Sequence, residues 1–148
     1  MKRLAILALM ALSLSACKPI APTPGAVAPT FYSGAATAMN GFSTTLLQAQ
    51  SLFTTAYNEK LVDAATYQSG QKVFLQIAVS GEAIDTALAA AQPQSQITSQ
   101  INALITQIST VPQAFAIKDA QSQAAFTSLM VSLENILKAV ESNLPPAK

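Results

Sequence analysis

Few side chains in this chain of 148 residues carry nucleophilic, acid–base or metal chemistry, and their spacing narrows the field further. Histidine is absent and cysteine occurs once, at Cys17, which leaves no His-dependent triad and no usual zinc ligand set. Glu82 and Asp85 stand three residues apart, so on a helix they face roughly the same way and keep carboxylate acid–base work open. Their neighbours Gly81 and Ile84 are apolar, which gives the same pair a second reading as a solvated border of a core. Ser69-Gly70-Gln71-Lys72 has the S-x-x-K spacing in which a lysine activates a serine, but the K-T-G and S-D-N elements that accompany it are missing. Glu134, Lys138 and Glu141 have spacings suited to modest surface ion pairs. Tyr32, Tyr57 and Tyr67 could mark a binding surface, yet nine aromatic residues without tryptophan form no convincing cluster in sequence, and core packing is favoured for them. No catalytic residue, metal or cofactor is expected from this inventory.

The one cysteine has a specific setting. Met1-Lys2-Arg3 is basic, Leu4 to Leu14 is uncharged, and Leu14-Ser15-Ala16-Cys17 closes the segment. This order closely resembles the lipobox of bacterial lipoprotein signal peptides. The resemblance covers residues 1–17 only. It implies cleavage between Ala16 and Cys17, a diacylglyceryl group on the Cys17 sulfur, and often acylation of the freed amine. A membrane-spanning helix is the weaker reading, because the apolar run has 11 residues where a bilayer core needs roughly 20. An ordinary secretory signal would leave Cys17 as a lone thiol in a compartment where structural cysteines come in pairs. Residues 1–16 are therefore set aside from the fold.

Loss of Lys2 and Arg3 leaves six of the eight basic side chains against seven acidic ones, and no arginine. The remaining lysines are scattered, whereas a nucleic-acid surface needs them clustered to displace counterions from phosphates. Nucleic acid is excluded as the expected partner. Charged residues are 10% of the chain, against about 25% in ordinary domains, and Gln, Ser, Thr and Asn take their places. Such a neutral surface resists association weakly, which suits a tethered protein that meets others.

The remaining sequence must supply the scaffold. Pro19, Pro22, Pro24 and Pro29 make residues 17–29 an extended tether after the lipidated cysteine, with a reach of at most roughly 40 Å. From Thr30 the apolar spacing is helical. Met39, Phe42, Leu46, Ala49, Phe53 and Ala56 form one stripe, widened by Leu47 and Leu52 and ending near Asn58. A second runs through Tyr67, Gly70, Phe74, Ile77, Gly81, Ile84, Leu88 and Ala91, with Asp63 as its N-cap. Pro93 opens a third, Ile97, Ile101, Leu104, Ile108 and Val111, which Pro112 should end. Asp119 caps a fourth, with stripe Phe126, Leu129, Leu133, Ile136 and Val140 and with Met130, Leu137 and Leu144 at its flank. Val62-Asp63-Ala64 and Lys118-Asp119-Ala120 precede the second and fourth segments alike, a hint of two helical hairpins on one plan.

These segments predict an all-α protein, an antiparallel up-down four-helix bundle over 30–144, with a tail at 145–148. Gly70 and Gly81 fall on the apolar face of the second helix, where each costs about 1 kcal/mol relative to alanine. They serve either close helix packing or a ligand groove. Two functions follow as expectations. One is a non-enzymatic interaction, scaffolding or occlusion module of the cell envelope, held to the membrane by lipid on Cys17 and meeting a protein partner. The other is a bundle that binds a small hydrophobic or lipidic ligand. Lys18 is not the aspartate that retains many lipoproteins in the inner membrane of enteric bacteria, so the expected location is the outer membrane, facing the periplasm. In a host with one membrane it is the outer face of the cytoplasmic membrane.

Overall fold

The computed structural model describes residues 32–144. The expected signal segment, Cys17, the tether, the start at Thr30 and the tail at 145–148 lie outside them. Four helices follow in order: α1 (Ser33–Asn58), α2 (Ala64–Ala89), α3 (Gln94–Ala114) and α4 (Ala120–Ser142). Each packs on the next, and α1 closes the ring against α4 in the most extensive of the four contacts, while α2 and α3 share the least. Short connections between packed neighbours make this an antiparallel up-down four-helix bundle. No strand occurs among the described residues, and none of their helices is long and apolar enough to cross a membrane.

The core repeats a single spacing. α1 buries Phe42, Leu46, Ala49, Phe53 and Ala56, and α3 buries Ile97, Ile101, Leu104, Ile108 and Val111 with the same steps of four and three. α2 buries Gly70, Phe74, Ile77, Gly81 and Ile84, matched on α4 by Phe126, Met130, Leu133, Leu137 and Val140. The fourth stripe is therefore rotated from the expected one: Met130 and Leu137 are buried, while Leu129 and Ile136 pack only partly buried at its edge. Seven apolar residues from Phe126 to Val140 belong to one or other stripe and make that face wider than a single one, so packing in the bundle selects the register. Ile136 lies beside Gly41 of α1, where a Cβ would meet its Cδ1 at 3.5 Å. Leu47 does not widen the α1 stripe; it is 52% exposed. Ala91 leaves the α2 stripe altogether, since the helix ends at Ala89.

The helix ends are set by local hydrogen bonds. Asp63 accepts from the Thr66 N–H at 2.9 Å and Asp119 from the Ser122 N–H at 2.7 Å, each satisfying a first-turn donor. α1 and α2 end with the same pair of bonds. Leu61 N–H donates to Ala56 and Lys60 N–H to Tyr57 after α1; Gln92 N–H donates to Ala87 and Ala91 N–H to Leu88 after α2. This closure needs a left-handed residue, and Lys60 (φ 64°) and Ala91 (φ 49°) supply it where glycine is usual. Pro112 does not end α3, which runs on to Ala114. A proline in the last turn removes a single donor, and the Gln123 side chain secures the chain beyond it, donating to the Pro112 carbonyl at 3.1 Å and accepting from Ile117 N–H at 2.6 Å. The α3–α4 connection then lies against the α1–α2 connection, with Lys118 N–H donating to the Leu61 carbonyl at 3.1 Å.

Candidate functional site

Gly70 and Gly81 meet two rings of α1. A Cβ on Gly81 would stand 2.6 Å from Cε1 of Phe42, and one on Gly70 would stand 2.9 Å from Cζ of Phe53 and closer still to its Cε1. Both rings are almost wholly buried. The pairs are separated by eleven residues on each helix, about three turns, so two knobs on α1 enter two notches on α2 in one antiparallel register. The missing side chains admit Phe42 and Phe53, and these rings fill the space that a ligand would take beside either glycine. The seam is sealed outside by a Gln50-to-Gln71 hydrogen bond of 2.7 Å and by Thr54 against the Tyr67 hydroxyl at 3.4 Å.

Six of the nine aromatic residues do cluster, which the sequence did not reveal. Phe53 touches Tyr67, Phe74, Phe115 and Phe126 at ring-centre distances of 5.6–5.9 Å. Tyr57 stacks on Tyr67 at 4.2 Å with planes 10° apart. These six rings come from α1, α2, α4 and the α3–α4 connection, and gather at the end of the bundle where the two similar connections meet. Tyr32 stands apart, its hydroxyl donating to the Gln92 carbonyl at 3.0 Å and tying the start of α1 to the α2–α3 connection. Stripe arithmetic within single segments cannot pair rings held on different helices. Counting turns from the Phe53–Gly70 contact would have brought Tyr57 opposite the Tyr67 region.

The acid–base candidates stay apart from any enclosed space. Glu82 and Asp85 are exposed on α2, as are Ser69 and Lys72. Lys138 and Glu134 form an ion pair of 3.9 Å on α4, of the modest surface kind expected. The concave surface nearest to Glu82 is the loose α2–α3 seam. There an open groove of about 240 Å³ is lined by Ser80, Ala83, Gln100, Ala103, Leu104 and Gln107, and it adjoins a larger and more open depression of about 430 Å³ at Val79, Glu82 and Thr86. Polar amides and small side chains line it, with no group able to act as an acid or base inside the groove itself.

Apolar side chains remain outside the filled core. Leu75 and Val79 are 66% and 58% exposed, one turn apart on the outer face of α2. Leu47 belongs to the same region. It lies three residues before Gln50 on α1, and Leu75 lies four after Gln71 on α2, so in this antiparallel register both stand one turn from the Gln50–Gln71 bond in the same direction. Ala16 and Cys17 are outside the described residues. No protein-family model matches the chain, and comparison with curated proteins and with solved structures gives no match.

Proposed function

We propose that this chain is a membrane-anchored bacterial lipoprotein whose helical bundle acts as a non-enzymatic interaction module in the cell envelope. A bundle packed down to its glycines, with Leu75 and Val79 left outside, carries the reading: specificity in such a molecule resides on its surface. The residues Leu14-Ser15-Ala16-Cys17 support the anchor, with Cys17 as the lipid acceptor. Lys18 supports retention in the outer membrane, facing the periplasm, where the host has two membranes. Docking, scaffolding and occlusion of a neighbouring protein all use such a surface and require no catalytic group.

Mass spectrometry of the protein extracted from membranes tests the anchor. The expected N-terminal residue is an acylated Cys17, and Cys17→Ala should release the chain from the membrane fraction. An unmodified Cys17 in exported protein overturns the reading. Density-gradient fractionation tests the location, with the mature chain expected in the outer-membrane band.

A further inference from the structure

The face of α2 directly opposite its core stripe reads Gln68, Lys72, Leu75, Val79, Glu82 and Thr86, and all six side chains are exposed. The order is symmetrical about Ile77. Leu75 and Val79 lie at equal distances on either side of it, as do Lys72 and Glu82, and as do Gln68 and Thr86. A stripe with this pattern complements itself when a second α2 is laid against it in the opposite direction. A two-fold axis through the middle of the helix then sets Leu75 of each copy against Val79 of the other. It also sets each Lys72 against the Glu82 of the other copy, at both ends of the apolar centre. Neither Lys72 nor Glu82 has an ion-pair partner among the described residues. In a parallel pairing of the same stripes, lysine would face lysine and glutamate would face glutamate.

We infer that this stripe is a homodimer interface, with the second copy's α2 packed antiparallel across it and two Lys72–Glu82 pairs fixing the register. Leu47 extends the apolar centre on the α1 side. Val131, the other large apolar side chain exposed among the described residues, lies on α4 outside the interface. A single helix face makes a small interface, so association is weak in dilute solution and is favoured where copies are concentrated at a surface. The inference stands on residues of α2 and does not depend on the lipid at Cys17.

Zero-length carbodiimide cross-linking of the full chain in the intact cells that make it tests it, because this reagent joins an amine only to a carboxylate already in contact with it. Lys72 and Glu82 of one chain are ten residues apart on a straight helix, about 15 Å, so a bond between them can form only between copies. The expected result is a covalent dimer in which mass spectrometry finds Lys72 joined to Glu82. Lys72→Glu alone and Glu82→Lys alone should each abolish it, and the double exchange should restore it with the amine and carboxylate reversed. Leu75→Asp should lower dimer yield at least tenfold, and Val131→Asp should leave it unchanged. Absence of the 72–82 bond, a dimer joined only elsewhere, or an adduct of this stripe with a different protein would each overturn the proposal. Failure to recover an acylated Cys17 would overturn the anchor and leave the 72–82 result standing.

Discussion

The two hairpins of the bundle share a spacing and differ in how they distribute volume. In α3 and α4 the buried residues are of similar size, with Ile97 and Ile108 on one helix and Phe126 and Leu137 on the other. In α1 and α2 the same positions are extremes: Phe42 and Phe53 on one helix, Gly81 and Gly70 on the other. A shared apolar pattern is enough to make both hairpins, since pattern and approximate volume suffice for folding. The large-into-absent arrangement of the first hairpin adds a requirement of shape. Each ring has one place to go, and each glycine is occupied from outside its own helix. The first hairpin is therefore the part whose register tolerates least change.

The largest expected effect is at the centre of that arrangement. Phe53→Ala removes a fully buried ring that contacts four other rings, and should cost about 3–5 kcal/mol. Ile108→Ala, at the matching step of α3, should cost less, near the lower end of the roughly 2–5 kcal/mol range for buried aliphatic truncation. Chemical denaturation of both variants checks the order, and equal losses would remove the distinction between the hairpins.

The next effect is smaller and of informative sign. In an uncrowded helix Gly70→Ala would gain about 1 kcal/mol. Here the new methyl group meets a ring with no exposed surface into which to move, so the variant should lose about 1–3 kcal/mol. Combination with Phe53→Leu should cost less than the two changes summed, because the smaller side chain makes room for the methyl group. Gly41→Ala is the control. Its Cβ would meet Ile136 at an ordinary 3.5 Å, and a gain of up to about 1 kcal/mol is expected. Thermal melts of the four variants decide whether close packing or chain flexibility governs the glycines.

A gain is also expected between the hairpins. Ala91 adopts a left-handed conformation that costs an ordinary residue about 1–2 kcal/mol, and glycine avoids this at a smaller entropic cost. Ala91→Gly should therefore raise stability by up to about 1 kcal/mol. An unchanged or lower melting temperature would show that the α2–α3 connection closes without the left-handed turn.

What the sequence conveyed and what it withheld divide along the same physical line. Helix number, the caps at Asp63 and Asp119 and the stripes of α1, α2 and α3 depend on residues near one another in the chain, where period and hydrogen-bonding reach are fixed by helix geometry. The register of α4 depends on whether Ile136 or Leu137 turns inward, and that is decided by packing against helices distant in the chain, with Ile136 lying beside Gly41 more than ninety residues earlier. The aromatic gathering around Phe53 likewise exists only after α1, α2, α4 and the α3–α4 connection are in place. Pro112 reads as a stop because its local effect is strong, while the Gln123 amide that holds the chain beyond it belongs to the next helix. At the candidate surface, the expected α2 core stripe leaves Leu75 and Val79 off the core face, but spacing alone does not say that no other helix covers them. Both are good core residues by type, and they stand outside because the opposite face, Gly70, Phe74, Ile77, Gly81 and Ile84, is the one packed inward.

The smallest expected difference between the hairpins is at their caps, where the two are built alike. The Thr66 N–H and then its hydroxyl hold the Asp63 carboxyl below the ordinary carboxylate range, and the Ser122 N–H and hydroxyl do the same for Asp119. A carboxyl whose pKa is lower in the folded chain stabilises the fold above its unfolded value of about 3.9, and that contribution is lost as the pH falls through the folded value. Both caps should therefore weaken together on acidification below about pH 4. Asp63→Asn and Asp119→Asn retain an acceptor for the first-turn N–H but cannot titrate, so each should remove a similar share of the acid dependence. The double variant should remove both shares. Denaturation midpoints followed from pH 7 to pH 2 measure these slopes. A dependence that disappears with Asp63→Asn alone would show that the second cap is weaker in solution than its 2.7 Å bond, and the equivalence of the two connections would fail there.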